Sequence, residues 1–362
     1  MSRWSKARSL VGIGALAAIA VAYLTWDAAP ATTRPAGPSA GVDLSALPAS
    51  RVTTDPRRAE FTIELPPVDL PAGPGAHSRE PVGVAELSVT GAIFGLRTEV
   101  VDEAGRPLPA EFIHHFNVMA PSDRELFLPI ARRVAASGME TGVVRLPWLL
   151  FGAPIRAGER VIANAMLHNP TPTAYRAVRI RMILSYVPSY RPWPLFTALP
   201  WQLDVAFPVG DKSFDLPPGR SERAYEGSPA VPGDLVAIGG HLHEYGESIE
   251  LWDATSGALL WRGEPASGAH GGRVPIGMLY SLTRLGTHIV PTRRYRIRVV
   301  YDNPTGRVVT AGGMGVIAGL FVPDRDAVWP QVDPGDSLYQ QDLQHFVGRS
   351  FVSTHAHAHM GH

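Results

Sequence analysis

Apolar and polar residues alternate along the chain from about residue 60 onward. The period is the two-residue period of strands rather than the 3.6-residue period of helices. The predicted strands are Glu60–Leu65, Val84–Phe94, Leu96–Asp102, Glu111–Met119, Val143–Pro147, Arg160–Leu167 and Arg176–Tyr186. A second set comprises Trp201–Phe207, Leu235–His243, Ser248–Trp252, Leu259–Arg262, Tyr295–Tyr301, Arg307–Thr310 and Met314–Val322. Turns such as Gly105-Arg106-Pro107 separate them, and Ser122–Ser137, with Asp123 and Glu125 near its start, is the best helix candidate. Many short strands, Gly- and Pro-rich turns and few helices predict an all-β protein built of jelly-roll β-sandwich layers. The stretch is too long for one small sandwich, so two in tandem are expected, meeting near Pro188–Pro200. An internal echo suits that duplication: Leu167-His168-Asn169-Pro170-Thr171 closes one strand and Tyr301-Asp302-Asn303-Pro304-Thr305 another.

The pattern breaks at both ends. Arg3, Lys6 and Arg8 precede an uncharged, mostly apolar run of 18 residues from Ser9 to Trp26, which ends at Asp27. This reads as a signal peptide or a membrane anchor with the following chain facing outward; Ala29-Pro30-Ala31 is a small-residue cleavage candidate carrying an unfavourable proline. Residues 28–59, rich in Ala, Pro, Thr and Ser, read as a flexible linker. The expected organisation is therefore anchor 1–27, linker 28–59, jelly rolls over 60–195 and 196–325, and a His-rich tail over 326–362.

Composition narrows the chemistry. Lys+Arg and Asp+Glu are both 33, so the electrostatic case for a nucleic-acid partner is absent. There is no cysteine, which removes disulfides, thiolate zinc sites, iron–sulfur clusters and a Cys nucleophile. A metal ion would be held by His, Met, carboxylate or backbone. There is no Gly-X-Ser-X-Gly, no His-Glu-X-X-His and no Walker-type phosphate loop.

The 13 histidines fall in groups. His241 and His243, two apart on a predicted strand, leave one face together, as a solvated pair or as two ligands of one ion. His114 and His115 are adjacent and share an ion only at a bulge or twisted edge; on a regular strand one is buried and one exposed. Met166 and His168 share the polar face of Arg160–Leu167, a thioether and an imidazole suited to a soft ion such as Cu(I), or Met166 simply packs. His288 stands alone and reads as structural. His355, His357, His359 and His362 form the tail cluster, a metal-capturing or merely solvated segment. Glu244 is the only carboxylate beside a His pair, and strand alternation points it away.

In chain order, these pieces resemble the type II copper, ascorbate-dependent monooxygenases, the family of peptidylglycine α-hydroxylating and dopamine β-monooxygenases. The motifs are His114-His115-Phe-Asn-Val, His168-Asn-Pro, Gly239-Gly-His-Leu-His-Glu-Tyr-Gly246, and Val300-Tyr-Asp-Asn-Pro304 followed by Gly312-Gly-Met-Gly315. They span about residues 85–323. The resemblance implies two eight-stranded jelly rolls, each holding one copper ion. His114 and His115 would be electron-transfer ligands, while His241 and His243 would be catalytic ligands at the oxygen-activating site. The family's third ligand at the first site falls on Met166, so either Met166 or His168 completes it. At the second site the family's Met falls near Leu320, and Met314 is a substitute only if the strand register differs. The expectation is a two-copper, O₂-dependent monooxygenase acting on a small-molecule or peptide substrate with an external electron donor. The alternatives are a non-catalytic envelope copper-binding protein for storage, delivery or sensing, and a glycan- or peptide-binding sandwich pair with structural histidines.

Overall fold

The computed structural model describes residues 44–352 except 74–77, 140, 207–211, 267–271 and 282. The proposed anchor (1–27), the first half of the linker (28–43) and the tail histidines His355, His357, His359 and His362 lie outside the described residues. The first lobe contains β1 (Arg51–Asp55), β2 (Glu60–Glu64), β3 (Val68–Leu70), β4 (Val82–Glu86), β5 (Gly91–Val101) and β6 (Pro107–Leu108). It continues with β7 (Ile113–Arg124), β8 (Ala131–Gly138), β9 (Val144–Arg145), β10 (Phe151–Ile155), β11 (Arg160–Leu167) and β12 (Tyr175–Pro188). After β13 (Phe196–Thr197) the second lobe begins with β14 (Leu199–Asp204), β15 (Phe214–Leu216), β16 (Gly219–Gly227), β17 (Gly233–Leu242) and β18 (Gly246–Asp253). Then follow β19 (Ala258–Gly263), β20 (Gly272–Met278), β21 (Thr287–Ile289), β22 (Tyr295–Asn303), β23 (Val309–Gly313), β24 (Gly315–Pro323) and a helix, α1 (Ser337–Val352).

Two-residue periodicity sets the layers. On β11, Val161, Ala163, Ala165 and Leu167 face the core with Phe61, Phe116 and Leu184, while Asn164, Met166 and His168 are only half-buried on the other face. The principal strands of the first lobe lie in the orders β2-β12-β5-β10 and β4-β11-β7-β8. In sequence rank this is first-eighth-third-sixth against second-seventh-fourth-fifth, the winding of a jelly roll. The second lobe repeats it as β14-β24-β17-β20 and β16-β22-β18-β19, around Trp201, Leu203, Ile297 and Phe321.

The Asn-Pro-Thr echo belongs to this duplication. Asn169 donates from Nδ2 to the Pro71 and Thr173 carbonyls, and its Oδ1 accepts from the N–H and hydroxyl of Thr171. Asn303 does the same with the Pro217 and Arg307 carbonyls and with Thr305. Beyond each turn, an alanine at positive φ (Ala177, 45°; Ala311, 51°) donates its N–H to an aspartate on a short strand, Asp69 or Asp215.

Three expectations change. Ser122–Ser137 is not a helix: it is the end of β7, a loop and β8. The apolar residues that imitated a helical face, Leu126, Phe127, Leu128 and Ile130, instead plug the core of the second lobe, and Pro129 disfavours helix there. Val84–Phe94 and Leu96–Asp102 resolve into β4 and β5, divided at Ser88–Thr90. Strand β1 occupies part of the expected linker, and α1 part of the expected tail. Asp336 caps α1, its Oδ1 accepting from the N–H groups of Leu338 and Tyr339. Tyr339, Leu343, Phe346 and Val347 then cover Met119 and Ile162 on the outer face of β4-β11-β7-β8. Among the described residues no helix is long and apolar enough to cross a membrane.

Candidate metal centres

In the first lobe the β7–β11 ladder pairs Met166 with His115 and Leu167 with Ile113, leaving His114 as the extra residue of a β-bulge. The bulge is what adjacent histidines require in order to meet: their Nδ1 atoms lie 3.2 Å apart. Two nitrogens bound at ~2.0 Å to one ion at about the tetrahedral angle are separated by roughly that distance. The ring centroids of His114 and His115 are 5.4 Å apart, and those of His114 and His168 are 6.5 Å apart. Imidazoles sharing one ion at angles of roughly 90–130° have centroids roughly 4.5–6 Å apart, so His114 and His115 fall inside the range and His168 just outside it. His168 is fixed by its own N–H, which donates to the Phe112 carbonyl. Met166 is the ladder partner of His115, so both third-ligand candidates border the pair. His114 is exposed and the other three are half-buried. In the next ladder row Asn117 and Asn164 pair by their amides, and Asn164 donates to the Phe346 carbonyl of α1. The cluster thus lies on the outer face next to the part the helix covers.

The duplicated lobe supplies an internal control. Its β18–β22 ladder pairs Gly246 with Tyr301 and Ser248 with Val300, skipping Glu247. Aligned on the Asn-Pro-Thr turns, His114, His115, Met166 and His168 correspond to Glu247, Ser248, Val300 and Asp302. The same bulge therefore forms without histidine, and Glu247 pairs with Arg220 on the surface. The fold does not require an imidazole cluster at this position.

The second pair lies on the other sheet type. His241 is opposite Val316 and Leu242 is opposite Gly315 on β24. One row further, the His243 N–H donates to the Met314 carbonyl, 3.3 Å. Cross-strand partners share a face, so His241, His243 and Met314 project together. The His241 and His243 centroids are 5.6 Å apart, within the same range. Leu320, the position implied by the family pattern, is opposite Ala237 and lies well along the sheet. The glycines around Met314 have a steric reason: a Cβ at Gly313 would enter the Phe214 ring and one at Gly315 would strike Val299. Core residues fill the inward side at 313 and 315, and Met314 faces out.

Tyr301, which sequence reading used only as part of a motif, ties this arrangement together. Its hydroxyl accepts from the N–H groups of His243 (3.2 Å) and Met314 (3.0 Å) and donates to the Met314 carbonyl. It is 1% exposed, and burial pushes its phenol up to about 12, so it remains a neutral hydrogen-bonding post. Glu244 is exposed on the turn beyond the pair. His288, read as a lone structural histidine, lies between Asp234 and Asp324, a grouping no local spacing announces.

No protein-family profile and no curated protein matches the chain. Among solved structures, the chain is similar to peptide-N(4)-(N-acetyl-β-D-glucosaminyl) asparagine amidase, at 8% identity and TM-score 0.37, covering 75% of this chain and 100% of that one. It is also similar to PNGase F, a glycosylasparaginase from Flavobacterium meningosepticum, at 10% identity and TM-score 0.35, covering 73% and 96%. A structure from infectious bursal disease virus, Gx strain, matches at 11% identity and TM-score 0.21, covering 84% and 91%. The jelly-roll assignment rests on strand order and needs none of these likenesses.

Proposed function

We propose that the protein is a copper-binding, O₂-dependent monooxygenase-like protein that hydroxylates an organic substrate, small molecule or peptide, through two separate copper sites. The resemblance to type II copper monooxygenases leads to this reading. The observation that carries it is the first-lobe bulge: His114 and His115 meet at ion-sharing distance where the duplicated lobe builds the same bulge from Glu247 and Ser248. His114 and His115, with Met166 or His168, would hold the ion that relays electrons. His241 and His243, with Met314, would hold the ion at the oxygen-activating site. Copper, when bound, supplies one-electron transfer and activation of O₂. The protein's part is to present neutral imidazole nitrogens and a thioether, a set that favours Cu(I) over hard ions. Tyr301 keeps His243 and Met314 in register. Hydroxylation of one C–H bond consumes one O₂, two electrons and two protons, with one oxygen entering the product and one leaving as water. The electrons come from an external donor. The N-terminal segment would hold the lobes outside the cytoplasm.

Anaerobic Cu(I) loading should give two ions per chain, falling to one in His114→Ala/His115→Ala and to one in His241→Ala/His243→Ala. Reductant-dependent O₂ uptake should disappear in His241→Ala. Binding of one ion or none by the wild-type chain overturns the proposal. The exposure of His114 suits a second reading, a non-catalytic envelope copper protein with an exchangeable site. That protein would hold both ions and take up no O₂.

A further inference from the structure

Asp234, His288 and Asp324 come from three elements of the second lobe. Asp234 is the second residue of β17, His288 is its ladder partner on β21, and Asp324 follows the end of β24. The Asp324 N–H donates to the Pro232 carbonyl, 3.0 Å, which holds this carboxylate against the start of β17. His288 Nδ1 is 3.5 Å from Asp234 Oδ1, and its Nε2 is 3.9 Å from Asp324 Oδ2. One ligand atom from each residue can be chosen so that all lie within 4.8 Å of one another. The residues are far apart in sequence, and β-sheet topology alone gathers them.

What marks the group is that two carboxylates from separate elements meet one imidazole. Several other carboxylates meet guanidinium groups instead: Glu60 meets Arg97, Glu99 meets Arg181, Glu226 meets Arg294 and Arg296, and Asp253 meets Arg293. Among the described residues, Asp234 and Asp324 have no Arg or Lys nitrogen within 4 Å, and each pairs with His288. With a neutral imidazole the group carries two uncompensated negative charges. A divalent cation cancels them and uses all three donors. An imidazole with two carboxylates, completed by water, suits Mn²⁺ or Zn²⁺ and is unlike the imidazole–thioether sets for Cu(I). Side-chain exposures of 22% for Asp234, 50% for His288 and 43% for Asp324 leave the site open to an ion.

We infer that Asp234, His288 and Asp324 form a third metal site, for a divalent ion of the Mn²⁺/Zn²⁺ class, that clamps β21 and the end of β24 onto β17. Its location gives the clamp a purpose. Val322 pairs with Asp234, and Val322 and Val236 belong to the apolar cluster with Phe151 and Ala198 where the lobes meet. In a chain without cysteine, a bound ion braces the strand ends behind that junction.

MnCl₂ titration of the full chain, with free Mn²⁺ followed by its EPR signal, tests this inference independently of the copper reading. One Mn²⁺ should bind per chain, and Asp324→Asn and His288→Ala should each weaken binding by at least about 10-fold. His114→Ala and His241→Ala should leave it unchanged. Mn²⁺ should also raise the thermal midpoint of the wild type and not of Asp324→Asn. Absence of binding at millimolar Mn²⁺, or equal binding by wild type and Asp324→Asn, overturns the inference. Failure here would leave Cu(I) stoichiometry untouched, and loss of Cu(I) binding would leave Mn²⁺ binding intact.

Discussion

The Tyr301 hydroxyl makes three hydrogen bonds, all to the backbone of the two residues whose side chains would complete one centre. Phenylalanine at this position preserves the ring and its edge contact with Phe214, whose centroid is 5.9 Å away, and deletes only those bonds. Leaving the Met314 N–H without its partner costs about 1–3 kcal/mol, so the free energy of urea unfolding should fall by that much in Tyr301→Phe. A purely structural tyrosine would do no more. If Tyr301 positions the centre, the variant also loses the sulfur scatterer of the His241-dependent ion in X-ray absorption of the Cu(I) form, while the first-lobe ion keeps its spectrum. An unchanged sulfur contribution would reduce Tyr301 to a packing residue.

At the level of elements, the duplicated bulge allows a substitution that the molecule has already tried. Replacing His114 and His115 together by Glu and Ser copies the residues that form the same bulge in the second lobe. Because the backbone there needs no imidazole, stability should change by less than about 1 kcal/mol. Cu(I) stoichiometry should fall by one. A large loss of stability would mean that the histidines are part of the fold, and retention of both ions would place the first site elsewhere. Much of this element was legible beforehand. Alternation gave Arg160–Leu167 to the residue, whereas adjacency of His114 and His115 required a bulge only if they shared an ion and otherwise fitted a regular strand. Cross-strand partners were not legible. Nothing local tells that Met314 and not Leu320 lies opposite His243, because that depends on the β17–β24 register. The His288 group depends likewise on three strands meeting. The helix misreading has the same origin: Leu126–Ile130 is apolar because another lobe buries it, so local periodicity had no bearing on its shape.

Within the described residues that plug ties one lobe to the other. Phe127 packs against Trp201 and Tyr295, with ring centroids 5.6 and 6.4 Å away, and Arg132 stacks on Trp329, whose indole N–H donates to the Arg124 carbonyl. These contacts stand where a cross-link is absent. At the base of the plug Glu125 is fully buried and accepts from the N–H of Leu126 in its own loop and of Gln202 in the other lobe. Burial pushes its carboxyl upward, against the opposing pull of those bonds and of Arg132 and Arg133. Asp204, also buried, is raised by the same cause despite Lys212. A carboxyl raised in the folded state costs stability while ionised, so as pH falls from neutral through the folded value these two groups add stability. Other carboxyls act with the opposite sign. Hydrogen bonds from Arg97 hold Glu60 low and those from Arg296 and Arg294 hold Glu226 low. Their contribution is present above the ordinary glutamate range and is lost as pH falls through their lowered folded values. Stability should therefore rise on mild acidification and collapse only below the ordinary carboxylate range. Glutamine at position 125 keeps an acceptor for Leu126 and Gln202 but cannot titrate, so the acid-side rise of the thermal midpoint should be smaller in Glu125→Gln while the collapse at lower pH remains. Parallel wild-type and variant midpoints from neutral pH through mild acid would show that Glu125 is not a source of the rise.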